Sequence, residues 1–385
     1  MQKLCFLLII CFYNISYSYD FSGVDSLVRK GIENRYFPGA QLVIGSKSEI
    51  LYFKSYGSFT YDNDSKPVDE NSIFDIASLT KVVATTPAIM ILYNQGKINL
   101  EDKVIKYVPE FNNNGKENIT VLNLLLHNSG LKDWIPFYKT CKNKEEVYKT
   151  IFEINLIYKT GSKFVYSDLN FILLGLIVER VSGFSLDEFC SEYIYSLYDM
   201  KFTMFNPPED LRMNILPTEN DKYWRNKQLQ GEVHDEAAYL MGGVSGNAGL
   251  FSNAKDLYRY TRTLLLTQSN AISMVKPFKD PNIFGKSTIE YFTTKFNISE
   301  YINTRALGWD TKPLPTSYRA PCGELISDNC FGHTGYTGTS IWCDKDRNLI
   351  IIFLTNRVYP VRENNGIREF RPDLHNKIFE LTENK

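Results

Sequence analysis

Apolar residues fall in two different rhythms along this chain. Near both ends they form short strand-like runs, at residues 40–46, 50–56, 307–310 and 337–354, the last broken by the charged turn 344–348. Between about 82 and 266 they recur with helical spacing instead. There 82–93 is a nearly unbroken apolar run ending at Gly96, and Phe171, Leu174 and Val178 share one face with Leu173 and Ile177 beside them. Short runs bounded by turn residues predict strands, and longer runs of period 3.6 predict helices. The distribution predicts an α+β protein in which both chain ends join one antiparallel sheet. The mostly helical middle would pack beside that sheet, with a cleft between the two parts. The sheet part is then about 19–80 and 300–385, and the helical part about 81–266. The polar, turn-rich stretch 207–230 and the stretch 269–304 are expected as long surface excursions that border the cleft.

The first residues break this pattern. Lys3 precedes an apolar run, 4–13, and Ser16-Tyr17-Ser18 follows it, the layout of a secretory signal peptide over 1–18. The run is too short to span a bilayer. This predicts a secreted or periplasmic protein with one domain over 19–385 and no integral membrane span in the mature chain, held at the membrane only if the leader stays uncleaved. Five cysteines would remain, at 141, 190, 322, 330 and 343, an odd number that allows at most two disulfides. Cys322 and Cys330 flank a loop and are the first pair to consider, with free buried thiols the equal alternative.

Composition narrows the chemistry. With 385 residues, 43% hydrophobic, the chain can bury a large core, and a formal net charge of −1 is too neutral for a nucleic-acid binder. Its four histidines show no His-x-His or His-Glu-x-x-His spacing, so no metal is expected. Gly-x-Ser-x-Gly is absent, which argues against an α/β-hydrolase elbow.

Three segments carry candidate chemistry: Ser78-Leu79-Thr80-Lys81, Tyr166-Ser167-Asp168 and His333-Thr334-Gly335. Spelling alone does not select them. Ser-x-x-Lys also begins at Ser129, Ser252 and Ser273, and a literal Lys-Thr-Gly stands at Lys159-Thr160-Gly161. Context favours Ser78, which follows a strand-like stretch, 73–77, and opens the long apolar helix. A serine there meets free backbone N–H groups and the positive helix end, and Lys81 lies one turn later on the same face. A partly buried lysine of lowered pKa can take the proton of such a serine. The rivals read as structural: Ser129 lies in a loop, Ser252 looks like the N-cap of a helix over 254–266, and Ser273-x-x-Lys276 runs into Pro277. Tyr166 and Asp168 fall in a loop feeding a buried helix, and His333-Thr334-Gly335 leads into a hairpin. Lys159-Thr160-Gly161 sits in a turn and is a decoy.

In this order and spacing the three segments resemble the active-site motifs of serine β-lactamases and penicillin-binding proteins. Two longer stretches extend the resemblance. Residues 119–131, which include His127-Asn128-Ser129-Gly130-Leu131, look like a segment of class C β-lactamase-like hydrolases. His234-Asp235-Glu236 and residues 242–252 look like a segment of periplasmic penicillin-binding-protein relatives. The resemblance implies a β-lactamase/transpeptidase-like fold, no cofactor, Ser78 as nucleophile, Lys81 as base and Tyr166 as the second proton-transfer group. It implies an oxyanion hole from the N–H groups of Ser78 and Tyr336, with Asp168, His333, Thr334, Gly335 and Tyr336 lining the substrate cleft. His234-Asp235-Glu236 would lie at that cleft.

Two departures bear on the substrate. Asp168 stands where β-lactamases carry Asn, and His333 where many carry Lys. A carboxylate near Lys81 favours its ammonium and opposes its use as a base unless burial or Tyr166 compensates. An ordinary imidazole titrates near ~6.5, so a His333 that binds a substrate carboxylate would lose efficiency above about pH 7. The resemblance then implies an acyl-enzyme hydrolase of D-alanyl peptides, peptidoglycan-derived or small-molecule, or of small esters. A true β-lactamase and an idle binding module are the alternatives, the latter opposed by the joint presence of Ser78, Lys81 and Tyr166.

Overall fold

The computed structural model describes residues 19–266, 283–315 and 319–383. Residues 1–18, expected to be a leader, and residues 267–282, with the rival Ser273 and the first part of the expected excursion 269–304, lie outside the described residues. The strands are β1 (Gly39–Gly45), β2 (Ile50–Gly57), β3 (Phe74–Asp75), β4 (Met204–Phe205), β5 (Glu219–Asp221), β6 (Lys227–Leu229), β7 (Leu250–Ser252), β8 (Cys330–Thr334), β9 (Ser340–Asp344) and β10 (Leu349–Thr355). The α-helices are α1 (Ser22–Glu33), α2 (Thr86–Asn94), α3 (Val121–Leu125), α4 (Lys144–Glu153), α5 (Asp168–Ser182), α6 (Leu186–Cys190), α7 (Glu236–Leu240), α8 (Ala254–Leu266), α9 (Lys286–Thr293) and α10 (Ile367–Glu383). Among the described residues, no single helix is long and apolar enough to cross a membrane.

Both chain ends do share one antiparallel sheet, in the order β2-β1-β10-β9-β8. Its central strands β1 and β10 are buried along their whole length. Successive side chains of β10 go to opposite faces: Ile350, Ile352 and Leu354 enter one core, and Leu349, Ile351 and Phe353 the other. The first core also takes in α2, α5 and α8, and the second is roofed by α1 and α10. Covered on both faces, such a strand reads as a continuous apolar run instead of an alternation. β8, which pairs only with β9, is the edge strand.

Several expectations need correction. The run 307–310 is not a strand; it makes only isolated bridges, Arg305 to Asp310 and Asp310 to Gly332. Gly308 turns the chain there with φ +84°, and a Cβ on it would stand 2.2 Å from Thr86 Oγ1. The strand before Ser78 shrinks to β3, which pairs with β7. The cap of α8 is Asn253, whose Oδ1 accepts from Asp256 N–H at 2.9 Å, while Ser252 belongs to β7. The stretch 207–230 is more than a surface excursion, because its hairpin β5–β6 buries Glu219 and Asp221, each 1% exposed. All five described cysteines, Cys322 and Cys330 included, are free and buried.

Candidate active site

From residue 72 to residue 92 every residue is buried except Ser78, which is half-buried. The chain delivers it by a strained turn. Ala77, just before it, has φ +47°, a left-handed conformation that costs a residue with a Cβ on the order of 1 kcal/mol. Three bonds hold that turn: Ala77 N–H donates to Asp75 Oδ1 at 2.8 Å, His234 N–H to Asp75 Oδ2 at 2.7 Å, and Thr80 Oγ1 to Ala77 O at 2.7 Å. A 3-10 turn, Ala77–Leu79, and a π turn, Lys81–Thr85, then lead into α2. Ser78 therefore opens a helical segment as expected, though a tightened and then widened one.

Lys81 is wholly buried beneath Ser78. Its Nζ donates to Ser78 Oγ at 3.0 Å and to Asn247 O at 3.0 Å, and pairs with Asp168 Oδ1 at 2.7 Å. Burial alone would favour the neutral amine. The Asp168 charge, then Tyr166 and the hydrogen bonds of both, outweigh burial and raise the pKa above the usual lysine value. The lowered pKa expected for a lysine base is thus overturned at rest, because a carboxylate stands 2.7 Å away.

Tyr166 lies within hydrogen-bonding reach of Lys81 and Ser78. Burial pushes its phenol above the usual value, against the pull of the Lys81 charge. Its ring stacks on His127, centroids 4.6 Å apart, and tilts against His333 at 5.9 Å. His127 explains the segment around it. Its Nδ1 accepts Ser167 N–H at 2.9 Å, and Ser129 Oγ donates at 2.6 Å to Asn170 Oδ1 on α5. The 127–129 segment thus fixes the turn that aims Tyr166 and Asp168, a role not drawn from the sequence. Asp168 is the first residue of α5 and not part of the preceding loop.

On the opposite wall β8 brings up His333 and Thr334. Thr337 Oγ1 donates to Asp75 O at 2.8 Å and Thr339 Oγ1 to Ile76 O at 3.1 Å, which ties the β8–β9 turn to the backbone before Ser78. Gly335 sits at this seam: a Cβ there would lie 2.1 Å from Thr339 Oγ1 and 2.5 Å from Ile76 O. Tyr336, next to it, is half exposed. His333 differs from expectation in charge. Burial lowers its pKa to about 4, assisted by Arg305 and Lys81 and opposed by Asp310, so the ring is neutral at pH 7. Its Nδ1 lies 2.8 Å from Thr334 O, which makes Nδ1 the protonated nitrogen and Nε2 an acceptor. A charged His333 holding a substrate carboxylate, and the fall in efficiency above pH 7 tied to it, are withdrawn on this ground.

The decoys stay out of the cluster. Ser129 is bonded to Asn170, and the turn of Lys159-Thr160-Gly161 is tied to the 128–129 backbone by Gly161 N–H to Asn128 O and Thr160 Oγ1 to Ser129 O. Asn247 had no role drawn from the sequence, and Asp235, expected at the cleft, gains a specific one. Asn247 gives Lys81 its backbone carbonyl, and Asp235 caps α7 through Ala238 N–H at 2.7 Å and receives Asn247 Nδ2 at 3.4 Å. Burial, then the Asp168 charge, push Asp235 up to about 6. Behind Tyr336 stands His234, its ring stacked on that tyrosine at 5.6 Å and its Nε2 2.8 Å from Glu219 Oε2. Arg362 pairs with the same carboxylate, at 2.6 and 2.8 Å. Burial raises Glu219, but His234 and Arg362 overcome it and bring its pKa down to about 2.

Comparison with known proteins gives the family. A sequence model of the family described as Beta-lactamase matches residues 24–374. The chain is 34% identical over 369 residues to a Bacillus subtilis protein named "N-acetylmuramyl-L-alanine amidase", covering 87% of this chain and 80% of that one. It is 33% identical over 356 residues to an Escherichia coli protein named "Putative D-alanyl-D-alanine carboxypeptidase", covering 83% and 79%. Among solved structures, a class C β-lactamase superposes with a TM-score of 0.70 at 20% identity, over 91% of this chain and 96% of that one. Fold, motif placement and sequence match agree: this chain belongs to the beta-lactamase family of serine hydrolases.

Proposed function

We propose that the protein is an exported acyl-enzyme hydrolase that cleaves an amide bond in a cell-wall-derived peptide, most simply a D-alanyl peptide, with Ser78 as nucleophile. The observation that carries this is the Ser78 Oγ–Lys81 Nζ approach of 3.0 Å, with the Tyr166 hydroxyl in reach of both. The names of the two relatives, an amidase and a carboxypeptidase, support an amide and a cell-wall source. Residues 1–18 support export.

With Lys81 held as ammonium, the Ser78 proton passes to Tyr166 oxygen in the minor, deprotonated form of that phenol, which burial disfavours and the adjacent cation partly restores. Ser78 Oγ bonds to the substrate carbonyl carbon, and the carbonyl oxygen takes the negative charge in the oxyanion hole, the N–H groups of Ser78 and Tyr336. Tyr166 then returns the proton to the leaving nitrogen as the C–N bond breaks. A water deprotonated by the same oxygen releases the acyl group and restores Ser78.

The test is turnover by wild type and Ser78→Ala of a D-Ala-D-Ala peptide, a p-nitrophenyl ester and a chromogenic cephalosporin, with intact-mass analysis after fluorophosphonate treatment. The expected result is a single adduct on Ser78 and peptide turnover lost in the variant. No adduct, or one on another side chain, overturns the reading; turnover of the cephalosporin alone replaces it with a β-lactamase.

A further inference from the structure

Beyond Asp168 and Asp235 the cleft is edged by rings that the proposed acyl transfer does not use. Trp224 stands between Tyr138, with centroids 5.5 Å apart, and Tyr239, 5.4 Å away and nearly perpendicular. Tyr239 lies on α7, one turn beyond its cap Asp235. Tyr239 is 37% exposed, with Tyr138 and Trp224 half-buried. Exposed aromatics gathered beside a reactive centre mark a contact surface, because water gains nothing from them.

The group is also built to stay in place. Trp224 N–H donates to Asp221 Oδ1 at 3.1 Å. Arg225 packs against both Trp224 and Tyr239, at 5.7 and 5.1 Å from their ring centroids. The same guanidinium donates to Val233 O and His234 O at 2.6 Å each. The rings are therefore braced against the loop that supports Tyr336.

From this juxtaposition we infer that Tyr138, Trp224 and Tyr239 form a sugar-stacking subsite, which takes an N-acetylated amino-sugar ring attached to the scissile peptide. The inference rests on the reading of the substrate as a cell-wall peptide and adds to it the glycan. A pyranose has a flat face of C–H groups and a rim of hydroxyl and amide groups. The rings match the face, and charged groups on their edge match the rim: Lys139, 5.8 Å from the Tyr138 ring centroid, and Glu232, beside Arg225. An acyl chain would instead call for aliphatic walls, and this edge is made of phenols and an indole bordered by charges.

The experiment compares kcat/KM of the full chain on a disaccharide-peptide, N-acetylglucosaminyl-N-acetylmuramyl-peptide, with that on the same peptide without sugar. Wild type is expected to prefer the glycosylated substrate by about tenfold or more. Trp224→Ala or Tyr239→Ala is expected to cut that ratio by about three- to tenfold, and Trp224→Phe to retain most of it. Fluorophosphonate labelling of Ser78 in each variant reports whether the fold and nucleophile survive. Equal rates on the two substrates, a ratio unchanged in both Ala variants, or the same preference for an aryl ester over an alkyl ester would overturn the subsite. Binding of the free disaccharide to Ser78→Ala, followed by tryptophan fluorescence, needs no catalysis. It separates the two ideas: sugar binding with no serine adduct in wild type sinks the acyl-enzyme reading alone, and an adduct with no sugar binding sinks the subsite alone.

Discussion

The Lys81–Asp168 pair is the residue-scale feature with the largest consequence. It places a full positive charge under Ser78, so the reactive proton acceptor is the minor form of a coupled Lys81–Tyr166 pair. The rate of Ser78 acylation should therefore climb with pH from 6 to 9, as that form gains population. Replacing Asp168 by Asn removes the counter-charge, and the folded pKa of Lys81 falls. The coupled Lys81–Tyr166 pair then loses its proton at lower pH, and the rising limb of kcat/KM for a p-nitrophenyl ester should move down by a pH unit or more. An unmoved limb in Asp168→Asn would show that the carboxylate does not control the base. Tyr166→Phe should retain the fold and lose about 10²- to 10⁴-fold in ester kcat/KM, the range typical of general acid–base groups.

At the scale of elements, the active site is a seam between an edge strand and a helical turn. β8 meets the Ser78 turn beyond the single Asp310–Gly332 bridge on its outer edge, and the threonines at 337 and 339 direct their hydroxyls to carbonyls of residues 75 and 76. No side chain fits at Gly335 without parting the two. Gly335→Ala should therefore lower esterase activity by about 10²-fold or more, in keeping with the sensitivity of acyl transfer to sub-ångström misplacement. Gly161, in the competing Lys-Thr-Gly, has open space around its Cβ position and φ +80°. Gly161→Ala should cost about 1 kcal/mol of stability through backbone strain and leave ester kcat/KM within about twofold. Activity lost from Gly161→Ala and kept in Gly335→Ala would reverse the assignment of the third motif. The strained Ala77 turn belongs to the same seam, held by an Asp75 carboxylate that also holds His234.

Over the whole molecule, buried histidines set the response to acid. His375 on α10 is wholly buried, and burial with the neighbouring Arg371 lowers its pKa to about 3; that of His333 is about 4. Each takes up a proton near ~6.5 once unfolded, so falling pH favours the unfolded chain. Stability should be level above about pH 7, decline as pH falls through 6.5, and continue to decline until the folded values are reached. Glu219 adds to the loss from about 4.5 downward, because its depressed pKa in the fold makes its stabilising charge the one removed by acid. Asp235, held up to about 6 in the fold, binds its proton before the unfolded chain does and offsets part of this loss below pH 6, so thermal melts should show Tm dropping between pH 7 and pH 4.5 by less than the histidines alone would give. His375→Leu, which leaves the cleft untouched, should show a smaller drop; an identical slope in that variant would count against the buried histidine as a cause.

What the sequence determined by itself was whatever depends on neighbours along the chain. Apolar runs of two periods placed the strands at the ends and the helices in the middle, and the order of three short motifs named Ser78, Lys81, Tyr166 and His333 as one cluster. Local context also discarded Lys159-Thr160-Gly161 and Ser129. What only the tertiary structure decided was charge and partnership, because these depend on atoms remote in sequence. Lys81 is an ammonium because residue 168 stands against it, and His333 is neutral because the sheet and Arg305 enclose it. His127, Asn247 and Asp235 carry no spelling that announces their roles; each acts through a contact closed by the fold. The run at 307–310 misled for the same reason, since the helix residue Thr86 leaves room there for a glycine turn and not for another strand. Pattern along a chain fixes which segments seek burial, and the meeting of those segments fixes which protons can move.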